Sequence, residues 1–198
     1  MKEASSRTDL ELVREFQDGR EGAFDELVKR HMTKAIRLAH AVCGNYEDAR
    51  DLSQEAFVKA HRALARFEGR AEFSTWFYRI LMNTAKDFMR SKNWKRLFAW
   101  KDQESQDRFF EGVEESSARS PVHIVAGAEL DQKITASIRK LPHKQQWVFV
   151  LRFLDELSIG QIAQVTGQAE GTVKATLHFA VKKFEQEITP YLSEGGRK

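Results

Sequence analysis

Apolar residues recur every three or four positions along almost the whole chain of 198 residues, and this spacing constrains the fold more than any other feature. It places apolar side chains along one face of an α-helix, whereas a half-buried strand requires alternation, which is hard to find here. The first helix shows the pattern, with a cap at Thr8 or Asp9. Its apolar stripe is Leu10, Val13 and Phe16. With only 3 prolines to interrupt helices, the sequence predicts an all-α fold.

The distribution of charge divides the chain into three parts. Residues 1–98 carry 19 Lys and Arg against 15 Asp and Glu, and residues 132–198 carry 10 against 6. Residues 99–131 carry 3 against 8, with many serines and little periodicity. Such a composition is typical of a flexible polar linker. We expect two small helical domains, residues 1–98 and 127–198, joined by a flexible acidic linker over residues 99–126.

Cysteine content and hydropathy indicate the compartment. Cys43 is the single cysteine, so no internal disulfide forms and nothing points to an oxidising environment. The N-terminal residues lack the apolar core of a signal peptide, and no apolar run approaches the length of a membrane span. We therefore expect a cytoplasmic protein.

No residue pattern is typical of an enzyme or a metal site. The sequence contains no glycine-rich phosphate loop, no HExxH motif and no nucleophile paired with a base. His31 is too far from His40 and Cys43 in the sequence for a convincing ligand set, and surface histidines beside a half-buried cysteine explain them better. We expect no catalytic activity, no metal and no cofactor. A redox role for Cys43 stays open.

A predicted helix over residues 46–66 is acidic at its start and basic at its end. Asp48, Asp51 and Glu55 share one face near the start. This polarity matches the helix dipole, so an ordinary solvent-exposed helix explains it. A contact surface for a protein partner also explains it, and the residues alone leave both interpretations open.

An aromatic loop and a basic helix follow. Phe67 and Phe73 flank a glycine in the loop, and a Ser-Thr pair caps the next helix. From Arg79 to Lys101 there are seven basic residues and one acid, Asp87. Basic side chains neutralise phosphates, and aromatic rings stack on unpaired bases. Core packing of the aromatics and a solvent-exposed basic face are the alternatives.

Residues 158–188 show the pattern of a helix-turn-helix. Ser158 caps a short helix over residues 159–165, Gly167 supplies the turn, and a longer helix follows over residues 170–188. In DNA-binding proteins of this kind the second helix enters the major groove. A purely structural helical hairpin is the alternative.

Two sets of motifs resemble the same family. The stretches DARDLSQEAF and FSTWFYRI, with the Phe67 loop between them and Asn83 after them, are similar to region 2 of bacterial sigma factors of the sigma-70 family. Leu141-Pro142 and the helix-turn-helix residues resemble region 4. The closest group is the two-domain extracytoplasmic-function (ECF) class, in which the two regions occur in this order with a linker between them.

The resemblance implies an RNA polymerase sigma factor that directs promoter-specific transcription initiation. Its implied partners are the bacterial RNA polymerase core, promoter DNA and an anti-sigma factor. In this family the acidic helix face binds the clamp coiled-coil of the polymerase's largest subunit. The matching residues here are Asp48, Asp51, Leu52, Gln54 and Glu55.

The resemblance also implies that the −10 element is recognised as a partly melted strand. The family's loop after the acidic helix captures an extruded base, and the next helix contacts upstream −10 bases and the backbone. The matching residues are Phe67, Gly69, Arg70, Phe73, Asn83, Lys86, Asp87 and Arg90. Asp87 either accepts a hydrogen bond from a cytosine amino group or pairs with a neighbouring basic side chain.

Recognition of the −35 duplex is implied for the second helix of the helix-turn-helix. The matching residues are Thr172, Lys174, Ala175, His178 and Phe179. Relatives often carry Arg where this chain has Phe179. An aromatic ring contacts a thymine methyl but cannot make the bidentate guanine contact of Arg, so the −35 specificity should differ, unless the ring turns inward.

An autonomous helix-turn-helix transcriptional regulator is the alternative function. No motif names the promoter, the inducing signal or the anti-sigma factor. The C-terminal motif also resembles those of response regulators, but the N-terminal half lacks the alternating strands and helices of a receiver domain. Specific duplex binding by the chain without polymerase would favour this alternative.

Overall fold

The computed structural model describes residues 7–98 and 121–195, with side chains over 7–90 and 130–191, and within these ranges the chain forms eight helices and no strands. The helices are α1 Asp9–Gln17, α2 Gly22–Cys43, α3 Tyr46–Leu64, α4 Phe73–Phe98, α5 Pro121–Arg139, α6 His143–Phe153, α7 Ile159–Thr166 and α8 Glu170–Gly195. The predicted all-α class is confirmed. Among these eight, none has the combined length and hydrophobicity needed to cross a bilayer.

Local capping determines where several helices begin and end. Thr8 caps α1 in a capping box, in which its hydroxyl accepts from the Glu11 N–H and the Glu11 carboxylate accepts from the Thr8 N–H. Ser158 and Gln161 form the same arrangement at the start of α7. Gly167 ends α7 in the left-handed conformation, with φ of 68°, which glycine adopts without strain. These caps lie where the sequence predicted them.

Helices α1 to α4 form one bundle around an aromatic centre. Helix α2 contacts the other three, and its Leu27 and Leu38 are buried. Phe57 of α3 stacks on Phe77 of α4 with ring centroids 4.2 Å apart. Burying a Leu or Phe side chain contributes about 1.5–3 kcal/mol. This core therefore holds α3 and α4 in a fixed relation to each other.

Helices α5 to α8 form a second, smaller bundle. Helices α6 and α7 pack on α8, with Ile162 of α7 and Val173 of α8 fully buried. Phe149 of α6 lies 4.7 Å from Phe184 of α8, measured between ring centroids. The packing fixes the angle between α7 and α8 and leaves the opposite face of α8 free to contact other molecules.

The two bundles pack against each other, which the sequence did not predict. Helix α7 lies on α4, and α5 and α6 lie on α2. Arg37 Nη2 donates to the Leu154 carbonyl oxygen at 2.6 Å. Lys34 Nζ lies 3.2 Å from Asp155 Oδ1, and the Asp155 side chain is only 6% exposed. Burial, and then the Asp155 carboxylate, raise the pKa of the Tyr78 hydroxyl. The interdomain contact, as we call it below, consists of Lys34, Arg37, Tyr78, Leu154 and Asp155.

The second bundle begins earlier than the sequence indicated. Helix α5 starts at Pro121, so residues 121–126, expected to belong to the linker, are helical. Proline suits the first turn of a helix because the N–H that it lacks would have no intrahelical partner there. The remaining expected linker residues, 99–120, lie outside the described ranges. Helix α8 also continues past residue 188 to Gly195.

Candidate polymerase and nucleic-acid interfaces

The acidic face of α3 is accessible to a partner. Asp51, Gln54 and Glu55 are exposed, and Asp48 is half-buried. The Glu55 carboxylate lies 2.8 Å from Lys59 Nζ. An exposed ion pair of this kind contributes at most about 1 kcal/mol, so it does not prevent Glu55 from engaging another cation. The structure therefore brings four of the five predicted polymerase-binding residues to one accessible surface.

Leu52 does not belong to this surface, and its predicted role needs correction. The side chain is 1% exposed and packs in the core of the first bundle. Its spacing from buried Ala49 and Ala56 places it on the inner face of α3. Leu52 therefore supports the helix that carries the acidic residues and is not available to a partner.

The loop between α3 and α4 borders a cavity of 480 Å³. Four residues predicted to bind the −10 element line it, namely Phe67, Gly69, Arg70 and Phe73. Gln17 Nε2 donates to the Phe67 carbonyl oxygen at 2.9 Å, which ties the loop to the end of α1. The structure thus gathers the predicted loop residues around one concave site.

The two aromatic residues that flank the loop, Phe67 and Phe73, are less exposed than rings that stack freely on a base. Phe73 is 3% exposed, with its ring stacked 6.0 Å from that of Phe77. Phe67 is half-buried, and its ring lies 4.9 Å from that of Trp76. Of the two interpretations of the aromatics, core packing therefore applies to Phe73, which can offer a base only the part of its surface that borders the cavity.

Helix α1 closes another side of the cavity. Asp9 and Leu10 line it beside the loop residues. Leu10, expected to face the core, is 43% exposed because Leu12 and Val13 occupy the buried positions of α1. The sequence prediction missed these two lining residues. The available indication was that α1 carries more apolar residues than one helical face can bury.

Two residues of α2 hold the Asp9 carboxylate. Arg30 Nη1 donates to Asp9 Oδ1 at 3.1 Å, and His31 Nε2 lies 2.6 Å from Asp9 Oδ2. His31 was expected at the surface but is buried, with its ring centroid 5.1 Å from that of Phe73. No local spacing predicts this pairing, because Asp9 and His31 are 22 positions apart.

The outer face of α4 carries the remaining residues predicted to bind the −10 element. Asn83, Lys86, Asp87 and Arg90 are all exposed, at positions that share one face of a helix. Asp87 Oδ1 lies 4.0 Å from Arg90 Nη1, the outer limit for an ion pair. Asp87 therefore weakly attracts Arg90 and keeps acceptor capacity for a donor on DNA.

Part of this face is turned toward the second bundle. Lys86 and Arg90 border a cavity of 220 Å³ together with His143 and Trp147 of α6. Burial, and then the charges of Lys144 and Arg90, lower the pKa of Lys86. Like charges therefore face each other across the boundary between the bundles, and α6 lies beside two of the predicted DNA contacts, which are still exposed.

Helices α7 and α8 form the expected helix-turn-helix around Gly167. The five side chains predicted to bind the −35 element are exposed on one face of α8, opposite buried Val173 and Ala180. These side chains are Thr172, Lys174, Ala175, His178 and Phe179. Phe179 is 59% exposed, so its ring points away from the core and the inward alternative does not hold.

Two family models match the chain. The model described as Sigma-70 region 2 matches residues 27–95, and the model described as Sigma-70, region 4 matches residues 131–184. The first range contains the acidic face of α3, the α3–α4 loop and the outer face of α4. The second range contains the helix-turn-helix.

Curated relatives match the chain over nearly its whole length. It is 33% identical over 188 residues to the RNA polymerase sigma-H factor of Pseudomonas aeruginosa, covering 94% of this chain and 96% of that protein. It is 32% identical over 185 residues to the ECF RNA polymerase sigma-E factor of Escherichia coli K12, covering 93% and 96%.

Two solved structures share the fold. One is CnrH in complex with the cytosolic domain of CnrY, with a TM-score of 0.65, 21% identity and coverage of 90% of this chain and 96% of that one. The other is the sigma factor RpoE of Bartonella quintana in complex with the anti-sigma factor NepR, with a TM-score of 0.65, 17% identity and coverage of 84% and 96%.

Proposed function

The chain belongs to the ECF group of the sigma-70 family of RNA polymerase sigma factors and directs promoter-specific transcription initiation; we propose that it does so through three separate surfaces. These are the acidic face of α3, the cavity beside the α3–α4 loop with the outer face of α4, and the exposed face of α8. The observation that supports this most strongly is that the three surfaces share no residue, so polymerase and the two promoter elements do not compete for the same side chains.

The acidic face of α3 binds the polymerase core. Asp48, Asp51, Gln54 and Glu55 contact the clamp coiled-coil of the largest subunit, and Leu52 acts only by supporting the helix. An exposed cluster of carboxylates accelerates association with a basic partner and helps to fix its orientation. The chain contributes binding surfaces and no catalytic group, and it acts in the cytoplasm, where the polymerase transcribes.

The cavity and the outer face of α4 bind the melted −10 strand. Extruding a base costs a few kcal/mol, which contacts with the residues that line the cavity offset. The extruded base is bordered by Phe67, Gly69 and Arg70. Phe73, which is buried, supports these residues from the side of the core. Lys86 and Arg90 neutralise phosphates, which makes −10 binding sensitive to salt.

The exposed face of α8 binds the −35 duplex in the major groove. Lys174 suits guanine O6 and N7, whereas Ala175 and the outward ring of Phe179 suit thymine methyl groups. Thr172 and His178 flank them and can bond bases or phosphates. We therefore expect a thymine opposite Phe179, where relatives with Arg would favour guanine.

An anti-sigma factor is the second protein partner that we propose. One of the two structures that share the fold, RpoE of Bartonella quintana with NepR, is a complex of a sigma factor with an anti-sigma factor. In this chain the packing of the bundles already turns Lys86 and Arg90 toward α6. A partner that stabilises this packing would keep those two cations away from promoter DNA.

Run-off transcription with purified core polymerase and a library of genomic promoters tests the function. We expect RNA from a limited set of promoters that share two elements, with Lys174→Ala altering preference only at the −35 element. Absence of promoter-dependent RNA, together with specific duplex binding by the free chain, would instead support an autonomous regulator.

A further inference from the structure

The cavity beside the α3–α4 loop is built from two segments that are far apart in the sequence. The loop supplies one side and the first turn of α1 the other. Gly69 has a φ of 70°, and a Cβ added to it would lie 3.4 Å from Leu10 Cδ1. The positive φ favours glycine at this position, and Leu10 lies at an ordinary contact distance from the loop.

The first turn of α1 is held rigidly at the cavity. Arg30 Nη1 donates both to the Arg7 carbonyl oxygen at 2.6 Å and to Asp9 Oδ1 at 3.1 Å. His31 Nε2 lies 2.6 Å from Asp9 Oδ2, and the Thr8–Glu11 capping box fixes the start of the helix. A wall fixed in this way can discriminate between ligands because its side chains cannot easily move to accommodate the wrong one.

The side of the cavity formed by α1 consists of one carboxylate, Asp9, and one apolar side chain, Leu10. A carboxylate only accepts hydrogen bonds and has about four lone-pair sites, of which Arg30 and His31 use a part. Adenine and cytosine present an exocyclic amino donor where guanine and thymine present a carbonyl oxygen, and the only donor of an unpaired thymine is the ring N3–H, which lies between two carbonyl oxygens. A carboxylate at Asp9 therefore favours an amino group over thymine, whose carbonyl oxygens it repels, and the apolar Leu10 side chain suits the face of a base.

We propose that Asp9 and Leu10 determine which base enters the cavity, Leu10 by packing on the base and Asp9 by selecting an amino-bearing base over thymine. This role rests on the function proposed above. It extends the −10 site to α1, outside the residues 27–95 that match the region 2 model.

The test is transcription by the reconstituted holoenzyme on promoters in which each −10 position carries each of the four bases. Wild type identifies the position with the strongest preference. At that position we expect Leu10→Ala to lower transcription about fivefold, as loss of one contact to a stacked base would. We expect Asp9→Asn, which adds an amide donor, to reduce discrimination against thymine about fivefold. Leu130→Ala is the matched control, because Leu130 is 42% exposed and Leu10 43%.

The outcomes separate this inference from the proposed function. A wild-type holoenzyme without base preference at any −10 position contradicts the proposed function itself. A wild-type preference that both folded variants retain overturns the role of α1. If Asp9→Asn unfolds because Arg30 and His31 lose their partner, Leu10→Trp decides, since a larger side chain in the cavity should abolish the preference.

Discussion

Asp51 and Leu52 are adjacent in the sequence and face opposite environments. Asp51 is exposed, whereas Leu52 is 1% exposed. Successive residues of an α-helix point about 100° apart, so one position can serve a partner while the next serves the core. Substitutions at the two positions therefore test different properties of the protein, and each predicts a distinct result.

Asp51→Lys should weaken binding to core polymerase at least about tenfold, because it reverses the charge of an exposed residue on the acidic face. The thermal unfolding midpoint should stay near that of wild type, since the position is exposed. Titration of labelled protein with core polymerase measures the affinity. Asp25→Lys, an equal charge change at an exposed position of α2, is the control. Equal weakening by both variants would point to net charge instead of this face.

Leu52→Ala should lower the free energy of unfolding by about 2–5 kcal/mol, because it opens a cavity in a packed core. Urea unfolding followed by circular dichroism measures the change. At concentrations where the variant is folded, we expect core affinity close to that of wild type. A variant with normal stability but weaker core binding would show that Leu52 contacts the polymerase.

At the scale of the helices, local patterns predicted most of what the structure contains. Ser158 and Gly167 lie at the two ends of α7, where capping and turn chemistry placed them, because these signals act within a few residues. The Asp9–His31 pair and the position of Leu10 at the cavity depend on how α1 packs beside the loop. Helical periodicity contains no information about such distant contacts. The early start of α5 escaped prediction because its first turn lies in a stretch without clear apolar rhythm.

Ser158→Ala should destabilise the second bundle by about 1 kcal/mol, because the Gln161 N–H at the start of α7 loses its acceptor. Weaker binding to a −35 duplex should follow, since α7 supports α8. Thermal unfolding and fluorescence anisotropy with duplex DNA measure the two effects. Ser158→Thr keeps the hydroxyl and should retain most of both properties. Equal losses in the Ala and Thr variants would show that the cap is not the cause.

At the scale of the whole molecule, some charged pairs between the two bundles attract each other and others repel each other. Lys34 and Asp155 attract each other, and Arg37 bonds to the Leu154 carbonyl oxygen. Lys86 and Lys144 repel each other nearby, and burial first and this repulsion second lower the pKa of Lys86. Contacts between domains of one chain are commonly mobile unless they are large and apolar. Because α6 borders Lys86 and Arg90, we expect the bundles to separate when the chain binds the −10 strand.

Asp155→Lys should therefore open the free protein, because it places a like charge opposite Lys34 in a site where the native side chain is 6% exposed. We expect a larger radius of gyration in small-angle X-ray scattering and several-fold tighter binding of a single-stranded −10 oligonucleotide. Adding Lys34→Glu restores an opposite pair and should reverse both effects. If Asp155→Lys tightens DNA binding with no change in size, the added positive charge is responsible and the contact does not restrict the −10 surface.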